Sequence, residues 1–313
     1  MSESMMGLPL LEAPPPSRRA SAQQKPIKVF PDQLYLEPTS VCNLKCTMCY
    51  TNVINGPDRR TLSYEQVTDF VSRYLDVVPP VVEAYWCGTG EAFLHKDFPR
   101  MVNRLMEYDS AVEQTIQTNG TINRLDEFTS LSRLSFSVSI DGPKDLHEWH
   151  RGPNTFERTL DFCKDALDRG CKSLLVRCLL RRDNIERLDE YHETLTDRLG
   201  PRFTVELNSP YDNTVLRPVR DFAEAIVHHD IDDSRTITTA EAVRICAEKY
   251  QGRYKIGVWD TVDNYISLNT YGVFTCCHGI LKIGDIDDPI PILMQRMIDS
   301  EPNCMACAMH PCQ

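Results

Sequence analysis

Three thiols stand within eight residues in the stretch SVCNLKCTMCY: Cys42, Cys46 and Cys49, spaced C-x3-C-x2-C. Chance would give roughly 0.02 such matches in a chain with this many cysteines. Thiolates bind soft metals, so the spacing asks which one. A closed zinc site takes four ligands, usually as two CxxC-like pairs, and a redox CxxC needs no third thiol. An iron–sulfur cube also takes four thiolates, so three leave one iron without a protein ligand. An open coordination position is where a metal site does chemistry. The missing fourth ligand is therefore expected to be a substrate or cofactor.

A second group of thiols closes the chain: Cys276, Cys277, Cys304, Cys307 and Cys312. A set of four that includes a CxxC pair suits zinc and iron–sulfur equally. The chain has thirteen cysteines in 313 residues, an odd count, and they bunch at the two ends of the region expected to be ordered. The opening MSESMMGLPLLEAPPPSRRASAQQKP lacks a charged start followed by an apolar stretch, so no secretory signal is read there. Reduced metal-binding thiols in a cytoplasm fit better than a disulfide framework. Residues 1–26 read as a disordered arm. The net charge of −11 speaks against nucleic acid and anionic membranes as partners, and no apolar run approaches membrane-spanning length.

The elements that must position these residues alternate. Strands are expected at 33–39, 81–87, 113–119, 133–141, 173–181 and 203–208. Helices are expected at 63–77, 97–108, 123–131, 155–169 and 185–198. Such repeats imply a parallel sheet with helices outside. The fold class is α/β: a partial (β/α)6 barrel over residues 27–210. A linker at 211–237 leads to a smaller hairpin-and-helix unit at 238–313, with a helix at 238–250 and a hairpin turning at Asn269–Gly272.

Strand alternation then bears on function. In RLSFSVSID, Leu134, Phe136, Val138 and Ile140 share one face, and Ser135, Ser137, Ser139 and Asp141 the other. The apolar face must meet the helices, so the polar face lines the barrel. The same argument sends Tyr35, Glu37, Gln117, Asn119, Arg177, Thr204, Glu206 and Asn208 inward. Unpaired buried polar groups cost a few kcal/mol each, roughly, so a lumen of this kind holds water or a polar ligand. Arg177, Glu37 and Glu206 are the candidates for handling that ligand.

C-x3-C-x2-C in the loop after a first strand resembles the radical S-adenosylmethionine (SAM) superfamily. The resemblance implies that Cys42, Cys46 and Cys49 hold a [4Fe–4S] cluster whose fourth iron chelates SAM. An electron then cleaves SAM to a 5′-deoxyadenosyl radical, which abstracts hydrogen from a C–H bond. Met48 stands where the family usually has an aromatic residue. CGTGEAF (87–93) is similar to the segment that receives the SAM amino group, which implicates Gly88, Thr89, Gly90 and Glu91. QTNG (117–120) adds Asn119. SVSIDGPKDLHEWHRG (137–152) adds Ser139, Asp141 and Arg151 as contacts to the ribose or carboxylate of SAM.

The C-terminal pattern YGVFTCC…KIGDI…CMAC…C resembles the auxiliary-cluster domain of the SPASM/twitch subgroup. It implies a second [4Fe–4S] cluster on Cys276, Cys304, Cys307 and Cys312, with Cys277 able to replace Cys276. The usual cysteine before the hairpin is missing, and the short tail fits a twitch-like unit. The other cysteines are read more plainly. Cys163, on the stripe Phe156, Leu160, Cys163, Leu167, is a core residue, as are Cys171, Cys178 and Cys246. Cys87 borders the SAM segment. His147 and His150 are placed in a loop, and His228–His229 in a solvated one.

Three functions follow. The first is a radical SAM oxidation or epimerisation of a small polar substrate of the sugar or aminocyclitol type, supplied with electrons by a flavodoxin- or ferredoxin-type donor. The second is maturation of a ribosomally made peptide. The third is a non-catalytic iron–sulfur or zinc protein.

Overall fold

A computed structural model describes residues 33–49, 59–78, 83–108, 112–208, 237, 239–251, 253–254, 256–257, 265–270, 272–275 and 281–305. Strands β1 (Gln33–Leu36), β2 (Glu83–Trp86), β3 (Glu113–Thr118), β4 (Leu134–Ser139), β5 (Ser173–Leu179) and β6 (Thr204–Asn208) lie side by side in that order, all parallel. Helices α1 (Tyr64–Leu75), α2 (Phe98–Glu107), α3 (Lys144–Arg151), α4 (Thr155–Asp168) and α5 (Leu188–Leu199) run between them. The sheet stays open, as a partial barrel does.

Two expectations are corrected. The helix expected at 123–131 is a pair of 3-10 turns, Leu125–Glu127 and Leu131–Arg133. Asn123 accepts the Leu125 N–H through its side chain, and Asn103 holds the Thr129 N–H. These side-chain acceptors compete with helical bonding. Conversely, His147 and His150 lie not in a loop but on α3, and both are fully buried. Pro143 sits at the N-cap and Gly152 closes the helix at φ 110°. Flanked by Gly-Pro and Gly-Pro, those eight residues read as a turn, although Pro suits a helix start and Gly its end.

The sheet also continues past the six expected strands. Helix α6 (Thr239–Tyr250) leads to β7 (Ile256–Gly257), which pairs with β6. Strand β8 (Tyr265–Asn269) pairs in parallel with β1 and turns into antiparallel β9 (Gly272–Thr275) and β10 (Leu281–Gly284). The C-terminal hairpin therefore extends the barrel sheet on the side of the first strand. Helix α7 (Ile290–Met305) follows.

The core fills the space between sheet and helices. Leu134, Phe136, Val138 and Ile140 are all fully buried, on the expected face. Cys163, Cys178 and Cys246 are buried among apolar neighbours, in line with their reading as core, whereas Cys171 is only partly buried at the edge of that core. Phe93 packs edge-on against Phe98, Phe128 and Phe162, with centroids 5.3, 5.9 and 5.6 Å away. Burying that ring stabilises the fold by about 2–3 kcal/mol, and each edge-to-face pair adds about 1 kcal/mol. Because Phe93 lies two residues after Glu91, the aromatic cluster also fixes the glycine-bearing segment 87–91.

Candidate active site

The cysteine loop follows β1 and is tied down from two directions. From the end of β3, Asn119 donates through Nδ2 to Asn43 Oδ1 at 3.0 Å, and Asn43 donates to Thr121 Oγ1 at 2.8 Å. Thr121 returns its N–H and hydroxyl to Asn119 Oδ1. From α3, the His150 carbonyl accepts the Thr47 N–H at 2.8 Å, and His150 Nδ1 meets the Thr47 hydroxyl at 3.2 Å. Within the loop, the Cys49 N–H donates to Cys46 O, and the Leu44 N–H to Cys42 Sγ.

The three thiols are half-exposed, with Met48 half-buried among them. Burial raises the Cys42 thiol and pushes that of Cys46 up to about 11, against the pull of the nearby Arg151 cation. Binding a metal supplies the positive charge that holds such thiols deprotonated. Among the described residues no three His, Cys, Asp or Glu side chains converge as ligands of one ion would. A cube binds each thiolate through a different iron, so its ligands need no common point.

The segment after β2 is pressed against this loop. Gly88 has φ 151°, and an added Cβ there would strike the Glu37 carboxylate. A Cβ on Gly90 would strike the carbonyls of Thr39 and Val41. Glycine is thus required at both positions for close backbone approach. The Glu91 N–H donates to Val41 O at 2.8 Å. The Glu91 carboxylate is buried and accepts from the Phe93 N–H, the Thr118 hydroxyl and the Asn119 N–H. Burial raises its pKa, and these three bonds oppose the shift. Glu91 joins the glycine segment to the end of β3, so its carboxylate is already occupied by protein.

Asp141 and Arg151 form a third support. Asp141 Oδ2 accepts Arg151 Nε at 2.6 Å, and Oδ1 accepts the Leu179 N–H at 3.0 Å. Asn184 donates to the Asp141 carbonyl. Burial works to raise the Asp141 pKa, but the attraction and hydrogen bond of Arg151 outweigh it and leave the carboxyl below its ordinary value. Arg151 is correspondingly held above its own. His147 accepts the Asp141 N–H at 3.3 Å, and burial lowers its pKa to about 4. It is therefore neutral at pH 7.

The inner face of the sheet carries the expected polar residues. Tyr35 and Tyr85 are in register and stack at 5.0 Å. Gln117, Ser137, Leu175 and Thr204 form the next row, with Ser139, Arg177 and Glu206 beyond it. Arg177 Nε donates to Glu206 Oε2 at 3.1 Å, and both side chains remain partly exposed. Ser137 is buried, and its hydroxyl has no hydrogen-bond partner among the described residues; the same holds for Asn208 Oδ1. Burial pushes the Cys87 thiol up to about 12, helped by the nearby Glu37 charge. Glu37 itself is buried, and Thr89 and Thr270 donate to it.

Sequence reasoning missed Asn43, Thr47, Thr118, Thr121, His150, Asn184 and Thr270, all of which support the site. Apart from His150, which lies on α3, each is a short polar side chain in a loop or near a strand end, a pattern with no period. Cys304 lies near the end of α7. Cys276, Cys277, Cys307, Cys312 and His228–His229 lie outside the described residues, as do the arm at 1–26 and nearly all of 211–237.

Comparison with known proteins agrees with the geometry. The sequence pattern of the radical SAM superfamily matches residues 36–195, just over half of the chain. The chain belongs to the radical SAM superfamily. Members use a [4Fe–4S] cluster with SAM and need an electron donor. A GTP 3′,8-cyclase of Vibrio atlanticus is 26% identical over 178 residues, covering 53% of this chain and 51% of that protein. The chain spans about half the length of the curated relatives it matches. Among solved structures, native anSMEcpe with bound AdoMet and Cp18Cys peptide aligns at TM-score 0.67 and 16% identity, covering 85% of this chain and 81% of that one. Streptococcus suis SuiB bound to the precursor peptide SuiA aligns at 0.56 and 16%, covering 84% and 64%. The fold is thus shared with SPASM/twitch-type radical SAM enzymes. No helix among the described residues is long and apolar enough to cross a membrane.

Proposed function

We propose that this chain is a radical SAM enzyme acting on a C–H bond of a small polar substrate, by oxidation or epimerisation. Cys42, Cys46 and Cys49 would hold the cluster, and Gly88, Thr89 and Gly90 would offer backbone to the methionine end of SAM. Cluster and SAM together supply a one-electron cleavage that generates an oxidising carbon radical. Glu91, Asn119, Asp141 and Arg151 keep the surrounding loops in place, and Arg151 lends positive charge beside the thiolates. Met48 and Ser139 would add further contacts to SAM.

The observation that carries the substrate class is the unpartnered Ser137 hydroxyl beneath the Arg177–Glu206 pair. A buried hydroxyl without a partner costs about 1–3 kcal/mol, a cost that a hydroxyl- or amine-bearing ligand relieves. Arg177 and Glu206 would then bind and orient that ligand. Cys276, Cys304, Cys307 and Cys312 are proposed to hold a second [4Fe–4S] cluster in a twitch-like C-terminal unit. A flavodoxin- or ferredoxin-type donor in the cytoplasm would meet the electron requirement.

The test is anaerobic reconstitution. Two cubes would give about eight irons per chain, and dithionite with SAM should release 5′-deoxyadenosine. Intact clusters with no nucleoside would sink the enzymatic reading. A second reading, peptide maturation, is favoured by the fold shared over most of the chain with two peptide-bound structures. Deuterium transfer from a labelled sugar-type substrate, as against a labelled peptide, into 5′-deoxyadenosine separates the two.

A further inference from the structure

Glu37 was read from the sequence as a lumen acid, yet its surroundings give it another task. It follows the last residue of β1 and is only 6% exposed. Oε2 accepts the Thr89 N–H at 2.5 Å, and Oε1 accepts the Thr270 hydroxyl at 3.3 Å. The Thr89 hydroxyl and the Thr270 backbone also act to hold the carboxylate ionised, against burial. Gly88 lies so close that any side chain there would collide with the carboxylate. The Glu37 N–H donates to Leu268 O at 2.8 Å. One residue thus bonds the glycine segment on one side and the turn between β8 and β9 on the other.

We infer that Glu37 is a positioning residue that fixes the Gly88–Thr89 backbone for SAM and makes that placement depend on the docked C-terminal hairpin. This rests on the reading of residues 87–93 as the SAM segment. The physical argument is one of alternatives. A segment carrying Gly88 and Gly90 has wide backbone freedom, so something must select one conformation. A carboxylate accepting the Thr89 N–H does so through a charge-assisted bond, which is stronger than a neutral one. The Thr270 hydroxyl in turn keeps the carboxylate from rotating away, and the Leu268 carbonyl fixes the Glu37 backbone. The described hairpin ends at Thr275, so the contact joins the glycine segment to the C-terminal part of the sheet. Glu37 need not touch substrate for this role.

The test uses the anaerobically reconstituted full chain. SAM affinity is measured by equilibrium dialysis, beside iron content and the electron paramagnetic resonance spectrum of the reduced cluster without SAM. Glu37→Ala should weaken SAM binding about tenfold, the scale set by loss of a charged hydrogen bond, with iron and spectrum unchanged. Glu37→Gln keeps an acceptor for Thr89 and should stay within about threefold of wild type. Thr270→Val removes only the hairpin arm and should cost about threefold. Unchanged SAM affinity in E37A, or loss of cluster iron in it, would overturn the inference. If E37A does not fold, unchanged SAM affinity in T270V overturns it instead. A wild-type chain that holds its cluster but binds no SAM would sink the functional reading itself, and the wild-type control tells the two failures apart.

Discussion

The two halves of the sheet's inner rim differ in whether their polar groups are already engaged. At the ends of β1 to β4, Glu37, Glu91, Asn119 and Asp141 each accept two or more protein hydrogen bonds. Across β4 to β6, the Ser137 hydroxyl and Asn208 Oδ1 lack partners among the described residues, and Arg177 and Glu206 stay partly exposed. A constant cofactor rewards groups fixed in advance, because their ordering cost is met during folding. A site for a variable ligand must leave groups open. Under the proposed function, the first half would be scaffold for cluster and SAM and the second the place where substrate is recognised.

The comparison breaks most sharply at the thiols. Cys46→Ala should reduce 5′-deoxyadenosine release to background; retained release would move the cofactor site elsewhere. Asp141→Asn comes next, because it removes the fully buried counter-charge of the partly buried Arg151. Loss of a buried partner costs about 3–5 kcal/mol, so chemical denaturation should show a large fall in stability along with lost iron. On the open side, Arg177→Ala should raise the substrate KM about tenfold or more while moving the SAM KM little. A larger effect on SAM would place Arg177 with the scaffold.

The pH dependence sharpens the same contrast. Burial holds His147 near pKa 4 against an ordinary 6.5. The unfolded chain therefore binds more protons than the folded one between those values. Stability is full above pH 6.5 and is lost as pH falls toward 4. Asp141, also lowered, acts in the same direction further down, whereas Glu37 and Glu91, raised by burial, oppose it. Denaturation midpoints at pH 7 and pH 5 should differ in wild type and converge in His147→Gln. The smallest effect is expected from Ser137→Ala. Removing an unpartnered buried hydroxyl should leave stability within about 1 kcal/mol while raising the substrate KM a few-fold, which parallel stability and kinetic measurements would check.

Most of the barrel was legible because its signals are periodic. Alternation in β4 fixes which residues meet the helices, and the stripe through Phe156, Leu160, Cys163 and Leu167 fixes the inner face of α4. The supports of the site were not legible. Flanking glycines and prolines hide helix α3 in the sequence, whose pattern places His147 and His150 in a loop. The bonds from Asn119 to Asn43 and from Glu91 to Thr118 join segments 76 and 27 residues apart.

By itself the sequence determined the thiol spacing, the strand faces and the glycines at 88 and 90, because each depends on covalent order or on a short-range period. Only the tertiary structure decided which polar groups are engaged by distant segments and which, like the Ser137 hydroxyl, have no partner among the described residues. It also decided that the C-terminal hairpin lies against β1, within reach of Glu37. Hydrogen bonding between distant segments depends on where strand ends converge, and that convergence is set by the packing of the whole sheet.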